Sequence, residues 1–348
     1  MKSHLFIGLL LLLMGPGGFA SPSDHPIPKK GVLDLGGTVM DRGGIYNLNG
    51  EWEFYWEKLL IPESYPEEKK KGSGVLVSVP SYWKSYEING EGLPGHGYGT
   101  YALTIILPQS NSSGFCIDLP VFDVAYKFYL NERLIGQNGT VGTALEKEKP
   151  WYEPSHFCYI PDQDTLQILI QVSNYHHRRG GFWKSVLVGG SKEVLDRSER
   201  RRMFNYSTIG VLFFFTIFFV IFWFFSKKDT MMLLFALTAL GMLIRSVNTG
   251  LYFSNAFVYT PWTWQIRMEY FGTYLAHICG MIFLHRMFPR SYMKHVITGN
   301  TIATSLLIIG VFTLPVRIFA LEMLFFQPLI LVFLMHYLVV SFMGTFRG

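Results

Sequence analysis

Charge is scarce in this chain. Only 16% of its 348 residues are Asp, Glu, Lys or Arg, while 49% are hydrophobic. That is too apolar for an ordinary soluble protein and too mixed for a pure membrane bundle. Cysteine is scarcer still: there are three, Cys116, Cys158 and Cys279, and no CxxC pair. Nucleophile-elbow, zinc-protease and phosphate-binding glycine-loop motifs are also missing, so no catalytic machinery, cofactor or metal site is expected. The net charge of +5 is modest. Part of it comes from Arg197, Arg200, Arg201 and Arg202, just before a long apolar stretch, where a collar facing lipid headgroups accounts for it. Nucleic acid is not an expected partner.

What is present divides sharply near residue 202. Lys2 and His4 precede a short apolar run, Leu5 to Met14, and then Gly18-Phe19-Ala20. This is a signal-peptide pattern over residues 1–20, with no Cys after it to suggest a lipid anchor. Residues 21–44, rich in Pro and Gly, read as a leader or linker. From Ile45 the pattern becomes short aromatic and β-branched runs bounded by Gly, Pro, Asn and Asp, such as NLNGEWEFYWEKL, GVLVSVPSYW and YGTYALTIILP. Period-two alternation points Phe115, Ile117 and Leu119 one way and Cys116 and Asp118 the other. Residues 45–196 are therefore expected to form an all-β sandwich of the jelly-roll kind, with no helix of useful length inside it.

Beyond it, residues 197–348 read as a transmembrane helix bundle. Five apolar stretches, about 204–225, 230–253, 264–287, 296–314 and 317–343, each suffice for a hydrocarbon core of ~30 Å. Long runs without alternation in lipid are helices. With the sandwich exported, Lys227, Lys228, Arg286, Arg290, Lys294 and Arg347 fall on the cytoplasmic side, in line with the positive-inside tendency. Arg267 and Arg317 are the chief exceptions, and the Arg cluster before the first helix opposes the tendency; a large exported domain is less bound by it, so the signal peptide sets the orientation. A multi-pass protein of the bacterial inner membrane follows, with its N-terminal domain in the periplasm or outside the cell.

Several strings look familiar together. LNGEWEFYW, VPSYW, GYGTYALTIILP, AYKFYLNERLIGQNG and QVSNYHHRRGGFWKSVLVG resemble the galactose-binding-like jelly roll found beside the catalytic barrels of β-galactosidases. LLFALTALGMLIRSVNTGLYF with WQIRMEYFGTYLAHICGMIFLHRMFP is similar to the second and third helices of the bacterial seven-transmembrane receptors with diverse intracellular signalling modules. The resemblance runs from about residue 30 to 343. The hairpin Leu130-Asn131-Glu132 departs from the pattern, which has Gly third. The family implies seven helices and then a cytoplasmic output module, such as a histidine kinase or a nucleotide cyclase. Five helices are read here, so the chain resembles the family's input part, truncated after the fifth helix, and the family's enzymatic activities do not carry over.

The best binding candidate joins two strands: Tyr175, His176, His177, Arg178 and Trp183, with Gly180-Gly181 between. Trp151 and Tyr152, in another loop, could join them. Flat aromatic faces plus fixed donors and acceptors are what a sugar needs. The alternative is structural, with Trp183 in the core and the glycines making a turn. Adjacent His176 and His177 face opposite ways on a strand, which disfavours a shared metal ion. Cys116 and Cys158 lie where a disulfide can persist, but sequence does not fix their separation, so bonded and free thiols both stay open. Arg245, Arg267 and Glu269 fall at similar depth near the outer membrane face. An Arg245–Glu269 pair coupling the sandwich to the helices stands beside simple snorkelling. Glu322 and His336 share a face of the fifth stretch.

The expected function is that of a sensory receptor's input module. Its sandwich takes a small molecule, carbohydrate among the candidates, and its other partners are the bilayer and a second copy in a homodimer. Alternatives are a membrane-anchored carbohydrate-binding protein without output, or a fragment of a receptor-type cyclase or kinase. A glycoside hydrolase would need paired carboxylates on a large catalytic domain, and five helices without visible repeats make a poor transporter.

Overall fold

The computed structural model describes residues 26–36, 44–107, 114–122, 125–226, 229–256, 259–289 and 293–322, with parts of 324–335. The expected signal peptide, Lys227, Lys228, Arg290, His336 and Arg347 lie outside the described residues. A β-sheet region comes first and a helical region follows.

The strands are β1 (Val32–Asp34), β2 (Ile45–Asn47), β3 (Gly50–Trp56), β4 (Val75–Val79), β5 (Glu87–Ile88), β6 (Glu91–Gly92), β7 (Gly97–Ile106), β8 (Phe115–Leu119), β9 (Ala125–Leu130), β10 (Arg133–Asn138), β11 (Ser155–Tyr159), β12 (Thr165–Asn174) and β13 (Leu187–Gly190). One sheet has the order β10-β9-β12-β7-β3-β4, with β1 added to β7; the second has the order β11-β8-β13-β2; β5 and β6 form a separate hairpin. The inner faces share one core. Trp52, Phe54, Tyr101, Phe128 and Ile170 come from the larger sheet, and Phe115, Ile117, Leu119 and Val188 from the smaller. Each such side chain contributes roughly 1.5–3 kcal/mol on full burial.

Two local features depart from expectation. Residues 32–34 are not leader: β1 runs parallel to β7, with Val32 beside Thr104, and the Pro28 carbonyl accepts from the Glu51 amide. A short helix, α1 (Tyr65–Lys70), also sits within the β region. It covers the middle of the larger sheet's outer face, where Tyr55, Leu60, Tyr65, Ala102 and Leu169 form a second buried cluster. That cover explains why β7 and β12 are buried on both faces and read as near-continuous apolar runs.

Cys116 and Cys158 are directly opposed in the β8–β11 pair and are joined as a disulfide. Cys116 points away from the shared core, as the alternation predicts, but that face is covered. Cys158 is exposed, but Cys116 is fully buried, and α2 (Ser191–Phe225) packs on β8.

The helical region comprises α2, α3 (Thr230–Val247), α4 (Trp262–Met287), α5 (Met293–Thr313) and the single turn α6 (Val316–Phe319). Three of these, α2, α3 and α5, are long and apolar enough to cross a membrane. Helix α4 has 26 residues but carries Arg267, Glu269, His277, His285 and Arg286. The first helix begins at Ser191, well before the expected 204, because no Gly or Pro interrupts the charged run. The second stops at Val247 rather than 253. There the Asn248 side chain donates to the Ile244 carbonyl, and Gly250 takes a left-handed φ of +71°. Helices α3 and α4 cross at small residues: a Cβ on Gly272 would fall 2.5 Å from the Gly241 carbonyl oxygen, so only glycine lets the backbones meet.

Candidate functional site

The β region and the helical region meet through specific side chains. Strand β13 runs straight into α2, which starts with the Ser191 amide donating to the Gly114 carbonyl. Val194 and Ser198 of α2 are buried, and one turn further Arg201 reaches back to β8, its Nη2 lying 3.3 Å from Asp118 Oδ1. Asp118 is nearly enclosed, with 6% of its side chain exposed against 42% for Arg201. A carboxylate so enclosed needs this partner.

A second contact forms where the loops after β10 and β12 reach the segment entering α4. Tyr152 is buried between Tyr252 (ring centroids 4.8 Å apart) and Trp262 (5.8 Å). Trp151 stacks on Tyr259 at 5.1 Å and 13°. Asn255 donates to the Tyr152 carbonyl at 3.1 Å and accepts from Gln265, which is fully buried. His176 meets Trp262 edge-to-face at 5.9 Å. Val121 joins the same cluster, which continues into the helices through Ile266, Tyr270, Val311 and Phe319.

These loops are held rigidly from behind. The Glu148 side chain is fully enclosed; its Oε2 accepts from the Tyr175 amide at 2.5 Å and lies 2.9 Å from His176 Nδ1. Asn174, also fully buried, donates to the Gly95 and His177 carbonyls, both at 2.7 Å. The Tyr175 hydroxyl donates to the Thr143 carbonyl. Partial burial, then Tyr98 and the nearby carboxylates, push that phenol above its ordinary value. His96, on the adjacent loop, is shifted downward by desolvation first, then by Lys84 and by Arg317 from α6, against an opposing pull from Glu148.

The structure divides the residues expected to form one ligand site. Trp151, Tyr152 and His176 are turned against Tyr259, Tyr252 and Trp262. His177 is buried beside them, its Nδ1 accepting from the Arg179 amide, and the Arg178 carbonyl packs on Gly95. His176 and His177 point to different neighbours, and among the described residues no cluster of three or more His, Cys, Asp or Glu is arranged to hold a metal ion. Trp183 lies elsewhere. Its Nε1 donates to the Phe122 carbonyl, its ring stacks on Tyr82 at 6.1 Å, and Lys184 and Arg179 lie over it at 4.5 and 5.6 Å. Those neighbours occupy the ring faces a sugar would use. Gly180 and Gly181 make the turn before it: a Cβ on Gly180 would fall 2.3 Å from Trp83, and Gly181 has φ +103°.

Of the charged residues singled out in the helical region, Arg267 binds within that region. It donates to the carbonyls of Val311 and Leu314, the latter at 3.0 Å, and lies over Phe319 at 5.3 Å. The Arg245 backbone packs on Gly272, one helical turn from Glu269. Sequence reading missed the Asp118–Arg201 link, although Val194, Ser198 and Arg201 recur at the spacing of one helix face.

No family model and no curated protein matches the chain. Among solved structures it is similar over 42% of its length to a β-glucuronidase from an uncultured Clostridium species, at 14% identity and a TM-score of 0.33, covering 29% of that chain. It is also similar over 42% of its length to the β-glucuronidase of Ruminococcus gnavus in complex with uronic isofagomine, at 15% identity and a TM-score of 0.31, covering 28% of that chain. The chain thus spans less than a third of the solved chains it matches.

Proposed function

We propose that this chain is the input part of a multi-pass membrane receptor. The β region, a jelly roll on the outer side of the bacterial inner membrane, takes a small ligand. The helices carry the resulting change to a cytoplasmic signalling partner, as in the seven-transmembrane receptor family it resembles. The chain itself performs no catalysis in this reading.

One observation carries it. Helix α2 is continuous from the β region into an apolar stretch of membrane length, and its first turns are fixed to β8 through Asp118 and Arg201. A movement of the small sheet therefore moves α2 as a body. The buried contact around Tyr152 and Trp262 gives the sheet a second hold on the helical region, and two holds on different helices let a shift in one domain change the arrangement of the other. A ligand drives such a change only by binding one arrangement more tightly than the other.

The test is hydrogen exchange on the full chain in lipid nanodiscs, with and without a ligand found by thermal-shift screening. Exchange should change in residues 191–202 and 248–262. A ligand that binds the β region and leaves both segments unaltered refutes the relay. Reporter fusions near residues 150 and 227 test the topology, with the first expected outside and the second in the cytosol.

A further inference from the structure

We propose that a groove at the end of the β region opposite the loops that meet α4 binds a neutral polyhydroxylated molecule of monosaccharide to disaccharide size. This deepens the receptor reading by naming where its ligand sits and what class it belongs to. The groove has a volume of about 370 Å³ and is walled by Pro62, Tyr65, Glu132 in the β9–β10 turn, Arg133 at the start of β10, Tyr159 at the end of β11 and Asp162 beyond it. Strand β12 fixes its position: Thr165 starts at the groove, and Asn174 ends against the loops that meet the helices. Ten residues at ~3.3 Å each set the two ends ~30 Å apart.

The chemistry of the walls selects the class. Glu132 and Asp162 are exposed acceptors, and the exposed Arg133 guanidinium supplies donors. A hydroxyl both donates and accepts, so a ligand bearing several of them meets both kinds of group. Charge of both signs lines the groove, and neither a strong anion nor a strong cation is favoured. Pro62 and the partly exposed ring of Tyr159 supply the apolar surface against which a sugar's C–H face packs, and only the edge of the buried Tyr65 reaches the wall.

The walls are also fixed in advance, which limits what binding loses in entropy. At the turn, the Asn131 amide donates to the Gln167 carbonyl at 2.7 Å, and Asn131 Oδ1 accepts from the Gln167 amide at 2.8 Å. The Tyr65 hydroxyl donates to Glu53, and the Tyr159 hydroxyl donates to Asp162 at 2.8 Å. Tyr159 is next to Cys158, which is bonded to Cys116, two residues along β8 from Asp118 and its Arg201 partner. A ligand that draws on Tyr159 and Asp162 thereby acts on the strand that holds α2.

Calorimetric titration of the full chain in detergent micelles tests the proposal, with D-glucose, D-galactose and cellobiose as probes and D-glucuronate as the charged control. At least one neutral sugar should bind. Replacing one exposed charged partner (D162A or R133A) should weaken it about tenfold, as loss of a hydrogen bond to a charged group does. E91A, on the separate β5–β6 hairpin away from the groove, should leave affinity unchanged. Far-UV circular dichroism confirms folding, and Q163A, a milder change in the same groove, serves if either charge variant misfolds. The proposal is overturned if no neutral sugar binds, if glucuronate binds more tightly than all three, or if the groove variants bind as the parent does. If binding follows the groove variants but exchange in α2 does not respond, the groove stands and the relay falls.

Discussion

Reduction of Cys116–Cys158 offers the most quantitative test. The two residues are 42 apart in sequence, and a cross-link over a loop of that length removes unfolded-chain entropy equivalent to roughly 4 kcal/mol at 25 °C. For a β region of this size, that corresponds to a fall of about 8–16 °C in melting temperature. The assay is tryptophan fluorescence of the full chain in detergent, since five of its eight tryptophans, Trp52, Trp56, Trp83, Trp151 and Trp183, lie in the β region. Parent protein with and without phosphine reductant is compared with the C116A/C158A double variant. The reduced parent and the variant should melt together, well below the oxidised parent. The two cysteines join β11 to β8, so reduction should also leave sugar affinity nearly intact while weakening the exchange response in α2. Coincident melting of oxidised and reduced protein would refute the reasoning, because the loop would then be held by something other than the bond.

Three further outcomes are expected. R201Q leaves Asp118 enclosed without its partner; with Arg201 itself partly exposed, the cost should be about 1–2 kcal/mol, read as faster exchange at residues 191–202, and D118A should show no further loss when combined with it. The His96 imidazole is held below its ordinary value of 6.5, so the folded state binds its proton less readily than the unfolded state. Its contribution is complete above that ordinary value and is lost as pH falls through the lowered one; R317Q should raise the titration point seen by NMR. G272L places a side chain where the Gly241 carbonyl lies and should cost about 1–3 kcal/mol, measured as lower thermal stability in detergent, while leucine at Gly210, which has open space around it, should be tolerated.

Much of the fold could be read from the sequence because its signals are local. Alternation at Phe115, Ile117 and Leu119 records a strand with one face in a core, and the β9–β10 turn at Asn131 sits where the hairpin was expected, with φ +51°. β1 escaped notice because three residues between Pro28 and Gly36 are too few for a period to show. Helix α1 has six residues, fewer than two turns. The candidate site was less legible for a different reason. Trp151 and His176 have the residue types of a sugar platform, and nothing near them in sequence reveals that Tyr259 and Trp262 come to rest on them. Such pairings are set by how two domains dock. The groove at Tyr159 and Arg133 likewise draws its walls from four separate segments, none of which carries a motif.

Helix α2 has 35 residues, no proline and a single glycine, and at 1.5 Å per residue it is a rod of roughly 52 Å. Without a hinge along its length, it acts as a lever arm whose fulcrum lies at Asp118. The arm beyond Arg201 runs to Phe225, roughly 36 Å, so each degree of tilt imposed there displaces the far tip by roughly 0.6 Å. A sub-ångström adjustment beside a bound sugar would therefore reach the opposite leaflet enlarged, with no rearrangement of the helix itself.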